Sequence, residues 1–285
     1  MRTQIYETAD AFLHAMRPFL EMEPVSNQLI LASAARLAGS ATPPSVLMTA
    51  VYSGDRPILA AMITPPHSLV LSRSRVEPSE TEDAAALLGQ SLADHSLPGI
   101  MGQREPAAAF SAAYCARRGL RHRLSEELGL YRLTRVIPPA ACLGKFRAAA
   151  EDDIPLLTDW REKFSLDIQH SSAREDVLVA VRRDVESGNL YLWECNRPVS
   201  TAVLKRPIGK GISIGGVYTP PEFRRRGYAS ACVAALSQFM LDKGYAYCSL
   251  YTNLANPTSN HIYQAIGYEP VGEVVEIKFD CPNAV

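Results

Sequence analysis

A mixed α/β architecture, laid down twice along the chain, is what the sequence predicts, and three observations predict it. Short runs with period-two alternation are interleaved with segments of helical spacing. The order of these runs is the same before and after a Pro138-Pro139 break. The composition, 47% hydrophobic and 21% charged, is that of a globular protein. A chain of 285 residues has room for two domains, which the break sets at 1–138 and 139–285.

From Thr8 to Leu37 apolar residues recur at helical spacing, interrupted by Pro18 and Pro24, which predicts two or three short helices. "SVLMTAVYSGDRPILAAMITPP" reads as a hairpin around Gly54, and "HSLVLSR" as a third strand. A helix follows with Ser79 as its N-cap, then another with Pro106 in its first turn and Gly119 at its end. "LYRLTRVIPPAA" is a strand that ends in the break. After it come a strand, an acidic helix start at Asp152 and Asp153, and a helix ending at Gly188. Two strands around an Asn-Arg-Pro turn lead to "GISIGGVYT", a long helix, the strand "YAYCSLYTN", a short helix and a last strand "EVVEIKF". Repetition of this element order argues for an internal duplication, although residue identity between the halves is low.

Charge sets limits on partners. With 29 Lys and Arg against 30 Asp and Glu, the net charge of -1 gives no general attraction to nucleic acid or an anionic membrane. The N-terminus lacks the apolar stretch of a signal peptide, and no run is apolar enough for a membrane span, so a cytoplasmic location is expected. Cys115, Cys142, Cys195, Cys232, Cys248 and Cys281 lie far apart, with no CxxC pair or histidine spacing for zinc, and read as reduced packing residues.

Two constellations in the second half carry chemistry. In "YTPPEFRRRGYAS", Pro220 ends a strand and the apolar series Ala229, Cys232, Val233, Leu236, Met240 marks a helix that runs to Lys243. Arg224, Arg225 and Arg226 therefore sit in the turn feeding a helix N-terminus, where free N–H groups, the helix dipole and guanidinium charge favour an anion. Gly227 lets the backbone approach a diphosphate closely, and Ala229 keeps the first turn open. Taken alone, the triplet is equally compatible with a solvated basic run. In "YTNLANPTSNHIYQAIGY", Asn256 is the N-cap, Pro257 the first helical residue and Gly267 the terminator. Asn256, Ser259, Asn260 and Tyr263 then share one stripe, opposite a packing face of Ile262, Ala265 and Ile266. On that placement Tyr263 is a proton-donor candidate; the alternative is a packed ring with its hydroxyl bonded to backbone.

Taken together these residues resemble the GCN5-related N-acetyltransferase (GNAT) family. Its pyrophosphate motif, Arg or Gln, two residues, Gly, one residue, Gly or Ala, is met by Arg224, Gly227 and Ala229. Its later motif is met by Asn256, Tyr263, Gly267 and Tyr268. The resemblance covers about half the chain, from Cys142 to Phe279, and implies a tandem GNAT-like fold with an intact C-terminal copy.

The resemblance implies a primary amine attacking the thioester of acetyl-CoA, with a small molecule as acceptor. Gly215 and Gly216 offer a bulge that would open the strand pair for the pantetheine arm. Val217, Tyr218 and Thr219 would bind that arm, with the Val217 N–H at the oxyanion. Arg224 to Arg226, Gly227, Tyr228, Ala229 and Ser230 would receive the diphosphate. Asn256, Ser259 and Asn260 would complete the cofactor site, and Tyr263 would protonate the departing thiolate as an ordinary phenol near pKa 10. Glu194, Glu222 and Asp167 are candidate general bases, Glu194 foremost, and His261 is a surface residue. An acyl-CoA-binding sensor without turnover is the alternative on the same fold; nucleic-acid binding is disfavoured by the charge balance. In the first half "SRVEPSE" carries no RxxGxA, and that domain is expected to be degenerate, with a structural or substrate-shaping role.

Overall fold

The computed structural model describes residues 1–167 and 173–280. Along the chain the elements are β1 (Arg2–Tyr6), α1 (Ala9–Leu20), α2 (Gln28–Leu37), β2 (Leu47–Ser53), β3 (Arg56–Ile63), β4 (Leu69–Leu71), α3 (Pro78–Ser91), β5 (Gly99–Gly102) and α4 (Arg104–Arg118). They continue with β6 (Arg121–Leu133), β7 (Lys145–Ala148), α5 (Ile154–Asp167), α6 (Arg174–Glu186), β8 (Leu190–Cys195) and β9 (Arg197–Ile208). The last are β10 (Gly211–Tyr218), α7 (Tyr228–Asp242), β11 (Tyr247–Asn253), α8 (Pro257–Ala265) and β12 (Glu269–Asp280).

The chain divides into two compact units. The first holds Met1–Leu130, Thr252–Ala255 and the C-terminal segment 271–280; the second holds Tyr131–Tyr251 and Asn256–Pro270. The change-over lies ahead of the Pro138-Pro139 break, and the C-terminal strand leaves the second unit, because β12 pairs antiparallel with β5 from Val275↔Gly102 to Lys278↔Gly99. Such a pairing across the length of the chain leaves no local mark in a sequence.

In the first unit the strand order is β1-β2-β3-β4-β5-β12. The pairs are antiparallel except β4 with β5, which is parallel. Leu59, Ile63, Leu69 and Ile100 pack under α3 and α4, whose Leu88, Phe110 and Tyr114 are buried, together with Val275 and Ile277 of β12. Three local expectations differ from what forms. β1 was not foreseen, because five residues of alternating character before a helix are too short a signal. Pro18 does not interrupt α1: the helix runs through it to Leu20 at the loss of the one N–H that proline lacks. Helix α3 starts with Glu77 as N-cap and Pro78 in its first turn, not with Ser79, because a proline suits the first helical position.

The second unit follows the same pattern with order β7-β8-β9-β10-β11, antiparallel except for β10 with β11. One face packs Ile212, Ile214, Cys248, Leu250 and Tyr191 against Cys232, Val233, Leu236 and Met240 of α7. The opposite face packs Leu190, Leu192 and Val203 against Leu157 and Trp160 of α5 and Val177 and Val181 of α6. Among the described residues no helix is long and apolar enough to cross a membrane. Cys115, Cys232 and Cys248 are buried free thiols, Cys142 and Cys195 half-buried ones, and Cys281 lies outside the described residues.

Candidate functional site

β10 is where the second unit departs from a regular sheet. Its parallel pairing with β11 runs only through Gly211↔Tyr247, Ile212↔Cys248 and Ser213↔Ser249, although β10 continues to Tyr218 and β11 to Asn253. On the other edge the register with β9 shifts between Gly215↔Val203 and Tyr218↔Thr201, so one extra β10 residue is accommodated there. Gly216 takes φ +58° in this bulge, a conformation that glycine adopts without strain. The extra residue reverses the alternation. Ile212 and Ile214 face α7, and so does Val217, whereas Tyr218 turns to the α5 face, with its ring 6.1 Å from Trp160 and 6.4 Å from Phe164. Burial against these aromatics pushes the Tyr218 phenol up. The expected bulge is thus present, and the pairing of β10 with β11 ends just ahead of it, at Ser213.

The arginine turn follows. Pro221–Phe223 forms one turn of 3₁₀ helix, Arg225 takes φ +63° and Gly227 φ +80°, and α7 begins at Tyr228 with Gly227 as its N-cap. No side chain caps this start. The Ala231 N–H closes the first intrahelical bond on the Gly227 carbonyl at 3.0 Å, so the N–H groups of Tyr228, Ala229 and Ser230 precede the ladder. A Cβ on Gly227 would meet only the Cys142 Cβ at 3.8 Å, so glycine is needed here for its dihedral rather than for space. Arg225 and Arg226 are exposed. Arg224 is not directed at the turn. Its Nε donates to the Thr219 carbonyl at 2.9 Å, a terminal nitrogen pairs with Asp167 at 2.9 Å, and its guanidinium lies over the Tyr218 ring at 5.8 Å. The motif arginine therefore ties the end of β10 to the end of α5, and Asp167 is its partner.

Helix α8 starts as the sequence predicts: Asn256 accepts the Ser259 N–H at 3.1 Å, with Pro257 in the first turn. The face assignment does not hold. Tyr263 is only 8% exposed and packs with Ile266 in the core, Ile262 is half-buried, and Ala265 is exposed. Its ring stands edge-on to Tyr268, centroids 6.0 Å apart. Among the described residues its hydroxyl has no hydrogen-bond partner, and burial pushes its pKa up to about 12. The ordinary phenol expected from the sequence is therefore a desolvated one. The reason is tertiary: the rotation of a nine-residue helix is set by the sheet it lands on, and here Tyr263 and Ile266 are the residues that meet it. Asn260 is held by its own unit, donating to the Asn256 carbonyl at 2.7 Å and accepting the Tyr131 hydroxyl at 2.9 Å. Tyr131, which sequence reasoning did not single out, also accepts from Gln264 at 3.3 Å and so fixes the orientation of α8. Ser259 is half-buried in the first turn and His261 is exposed.

Glu194 lies at the end of β8, two strands away from β10, roughly 10 Å at the usual strand spacing. It forms ion pairs with Arg147 and, at 3.2 Å, with Lys145. The Arg147 hydrogen bond, followed by that of Lys145, holds its carboxyl below the usual range, which weakens it as a base. Arg147 also bonds Asp153 at 2.6 Å, so Glu194 belongs to a structural charge network at the start of α5. Glu222 is exposed in the 3₁₀ turn. In the first unit, the turn before α3 is stitched down instead of open. The Asn27 amide accepts the Arg73 N–H at 2.7 Å and donates to the Arg73 and Leu20 carbonyls at 3.0 Å, and Arg75 pairs with Glu23 at 2.6 Å.

Fold and site together define a mixed-sheet α/β protein in which an uncapped, arginine-rich helix start stands beside an opened parallel strand pair. Residues 198–275 match the model of the FR47-like protein family. A 70-residue segment is 29% identical to aminoglycoside N(6')-acetyltransferase type 1 of Salmonella typhimurium, spanning 25% of this chain and 48% of that protein. The chain thus spans about half the length of this curated relative. Among solved structures, a GCN5-related N-acetyltransferase from Sphaerobacter thermophilus superposes with TM-score 0.61 at 12% identity, over 97% of this chain and 95% of that one. A tandem GNAT protein from the clavulanic acid biosynthesis pathway superposes with TM-score 0.56 at 11% identity over 98% of both chains. At these identities the solved structures speak for the fold, which is the tandem one expected from the sequence. The chain is thus similar to these proteins in fold, and over residues 198–275 in sequence to the FR47-like family.

Proposed function

We propose that the second unit is an acetyl-CoA-dependent N-acetyltransferase acting on a primary amine of a small acceptor. The observation that carries this reading is the separation of β10 from β11 after Ser213↔Ser249, directly ahead of the Gly227-capped turn. An acyl donor with a long polar arm and a diphosphate needs both: unpaired strand backbone for the arm and free N–H groups for the phosphates. In this reading the backbone of Val217, Tyr218 and Thr219 takes the arm. The N–H groups of Gly227, Tyr228, Ala229 and Ser230 take the diphosphate, and Arg225 and Arg226 add charge. Arg224 acts as a positioning residue through Thr219 and Asp167. Asn256, Ser259 and Asn260 serve the site by holding α8 and thereby Tyr263.

The neutral amine attacks the thioester carbonyl, forming the C–N bond, and the Val217 N–H stabilises the oxyanion. The C–S bond then breaks, the thiolate takes a proton from Tyr263, the amine nitrogen loses one to solvent and the Tyr263 phenolate regains one from solvent; the products are the amide and free CoA. A phenol at about 12 is a poor donor to an ordinary thiolate near 8.5. Burial raises thiols in the same way, however: Cys232 and Cys248, in the core that also holds Tyr263, are pushed up to about 12. Donor and acceptor stay matched when both are desolvated. The first unit is assigned a structural or substrate-shaping role, supported by Glu77 and Glu80 at the start of α3, where an anion would otherwise sit.

The test is thiol release from acetyl-CoA with a panel of amines that includes aminoglycosides, in view of the curated relative, together with amino acids and polyamines. Release that depends on an amine supports the reading. Tight acetyl-CoA binding without release for any amine would favour an acyl-CoA sensor instead.

A further inference from the structure

The α5 side of the second unit contains a narrow apolar crevice of about 20 Å³, walled by Leu157, Trp160 and Phe164 from α5 and by Val203, Gly216 and Tyr218 from β9 and β10. Nothing in the proposed chemistry uses it. Its two polar walls turn their polar atoms elsewhere: Arg161 pairs with Asp184 at 2.6 Å, and the Thr201 hydroxyl donates to the Tyr191 carbonyl at 3.0 Å. The interior is therefore an apolar space rather than a water site. It exists because of the bulge, which leaves Gly216 without a side chain opposite Val203 and swings the Tyr218 ring to this face.

Gly216 and Tyr218 flank Val217, whose N–H is the oxyanion donor in the reading above. Two walls of the crevice are thus the immediate chain neighbours of the residue that would hold the thioester carbonyl. We propose that the crevice is an acyl-tail subsite and that the second unit prefers an acyl-CoA donor longer than acetyl, propionyl-CoA in particular. The proposal rests on the acyl-CoA reading of the site. The ceiling follows from size: about 10–15 Å³ holds one water-sized group, so the space takes one or two methyl-sized groups and no longer chain.

The full chain is titrated calorimetrically with CoA, acetyl-CoA, propionyl-CoA and hexanoyl-CoA. One methylene moved from water to an apolar site should make propionyl-CoA bind about fourfold tighter than acetyl-CoA, with hexanoyl-CoA weaker than propionyl-CoA. In Gly216→Ala the new Cβ would stand 3.2 Å from the Val203 Cγ2 and fill the space, so the propionyl advantage should disappear. Val203→Ala, which leaves Gly216 and its dihedral untouched, should widen the crevice and raise hexanoyl-CoA affinity relative to propionyl-CoA. Equal affinity for acetyl- and propionyl-CoA, with CoA itself bound, overturns the subsite and leaves the acyl-CoA reading standing. An unchanged ratio of hexanoyl-CoA to propionyl-CoA affinity in Val203→Ala overturns it too. Failure of CoA and every acyl-CoA to bind overturns the function and the subsite together.

Discussion

Tyr263→Phe separates a catalytic tyrosine from a packing one, because the two roles predict opposite signs for stability. The ring fills the core beside Ile266 and stands 6.0 Å from Tyr268, and phenylalanine keeps that packing. Only the hydroxyl is lost, and it has no hydrogen-bond partner among the described residues. A fully buried unpaired hydroxyl would cost about 1–3 kcal/mol, but this one is not among the fully buried unpaired polar atoms, so the penalty relieved is at the low end. The variant should therefore be unchanged or more stable by about 1 kcal/mol, a rise of roughly 2 °C in Tm. Loss of the proton donor should lower kcat by a factor on the order of 10²–10⁴. A third readout is alkaline stability. Raised from 10.0 to about 12, the phenol keeps its proton longer in the folded protein than in the unfolded chain. Its contribution, on the order of 3 kcal/mol, is complete below pH 10 and lost as pH climbs from 10 to 12. The Phe variant should lack that part of the slope. Denaturant unfolding at pH 7 and across pH 9–12, with initial rates of thiol release, gives all three. A Tm lowered by more than about 4 °C with kcat within threefold of wild type would refute the reasoning and make Tyr263 a structural residue.

Gly227→Glu should abolish acetyl-CoA binding by calorimetry, since it sets a carboxylate at the anion site. Without ligand, Tm should fall only a few degrees, because the new side chain finds open space and the left-handed dihedral costs about 1 kcal/mol. Retained affinity would remove the diphosphate assignment. For Glu194→Gln, kcat should stay within threefold and the acid limb of the rate profile should not move, as befits a carboxylate already occupied by Arg147 and Lys145. A hundredfold loss of kcat would restore it as the general base. Asp153→Asn should lower stability at pH 7 by about 1–3 kcal/mol, because it breaks a charge-assisted pair with Arg147. Arg147 holds the Asp153 pKa below its ordinary value, so that contribution is present at neutral pH and lost as pH falls through the folded-state pKa, which acid titration of both proteins would show.

Much of the site could be read in advance where the reasons are local. Asn256 caps α8, Gly227 begins α7, and the Gly215-Gly216 pair becomes a bulge, each because a hydrogen bond or a dihedral within a few residues demands it. The errors share another cause. Tyr263 was given to the outer face of α8 because Ala265 and Ile266 look apolar in a helical projection, yet the sheet meets Tyr263 and Ile266 and leaves Ala265 in solvent. Glu194 looked available at a strand end until β7 brought Lys145 and Arg147 alongside. Arg224 looked like the anion ligand, and Asp167 and the Thr219 carbonyl claim it.

By itself, then, the sequence determined the two-fold repetition of elements, the uncapped arginine turn, the bulge and the start of α8, because turns, caps and glycine dihedrals are decided by neighbours in the chain. Only the tertiary structure decided that β12 pairs with β5, that Tyr218 reverses its face and that Tyr263 is desolvated. Each of these depends on groups brought together from distant parts of the chain, and burial and charge pairing exist only once they meet.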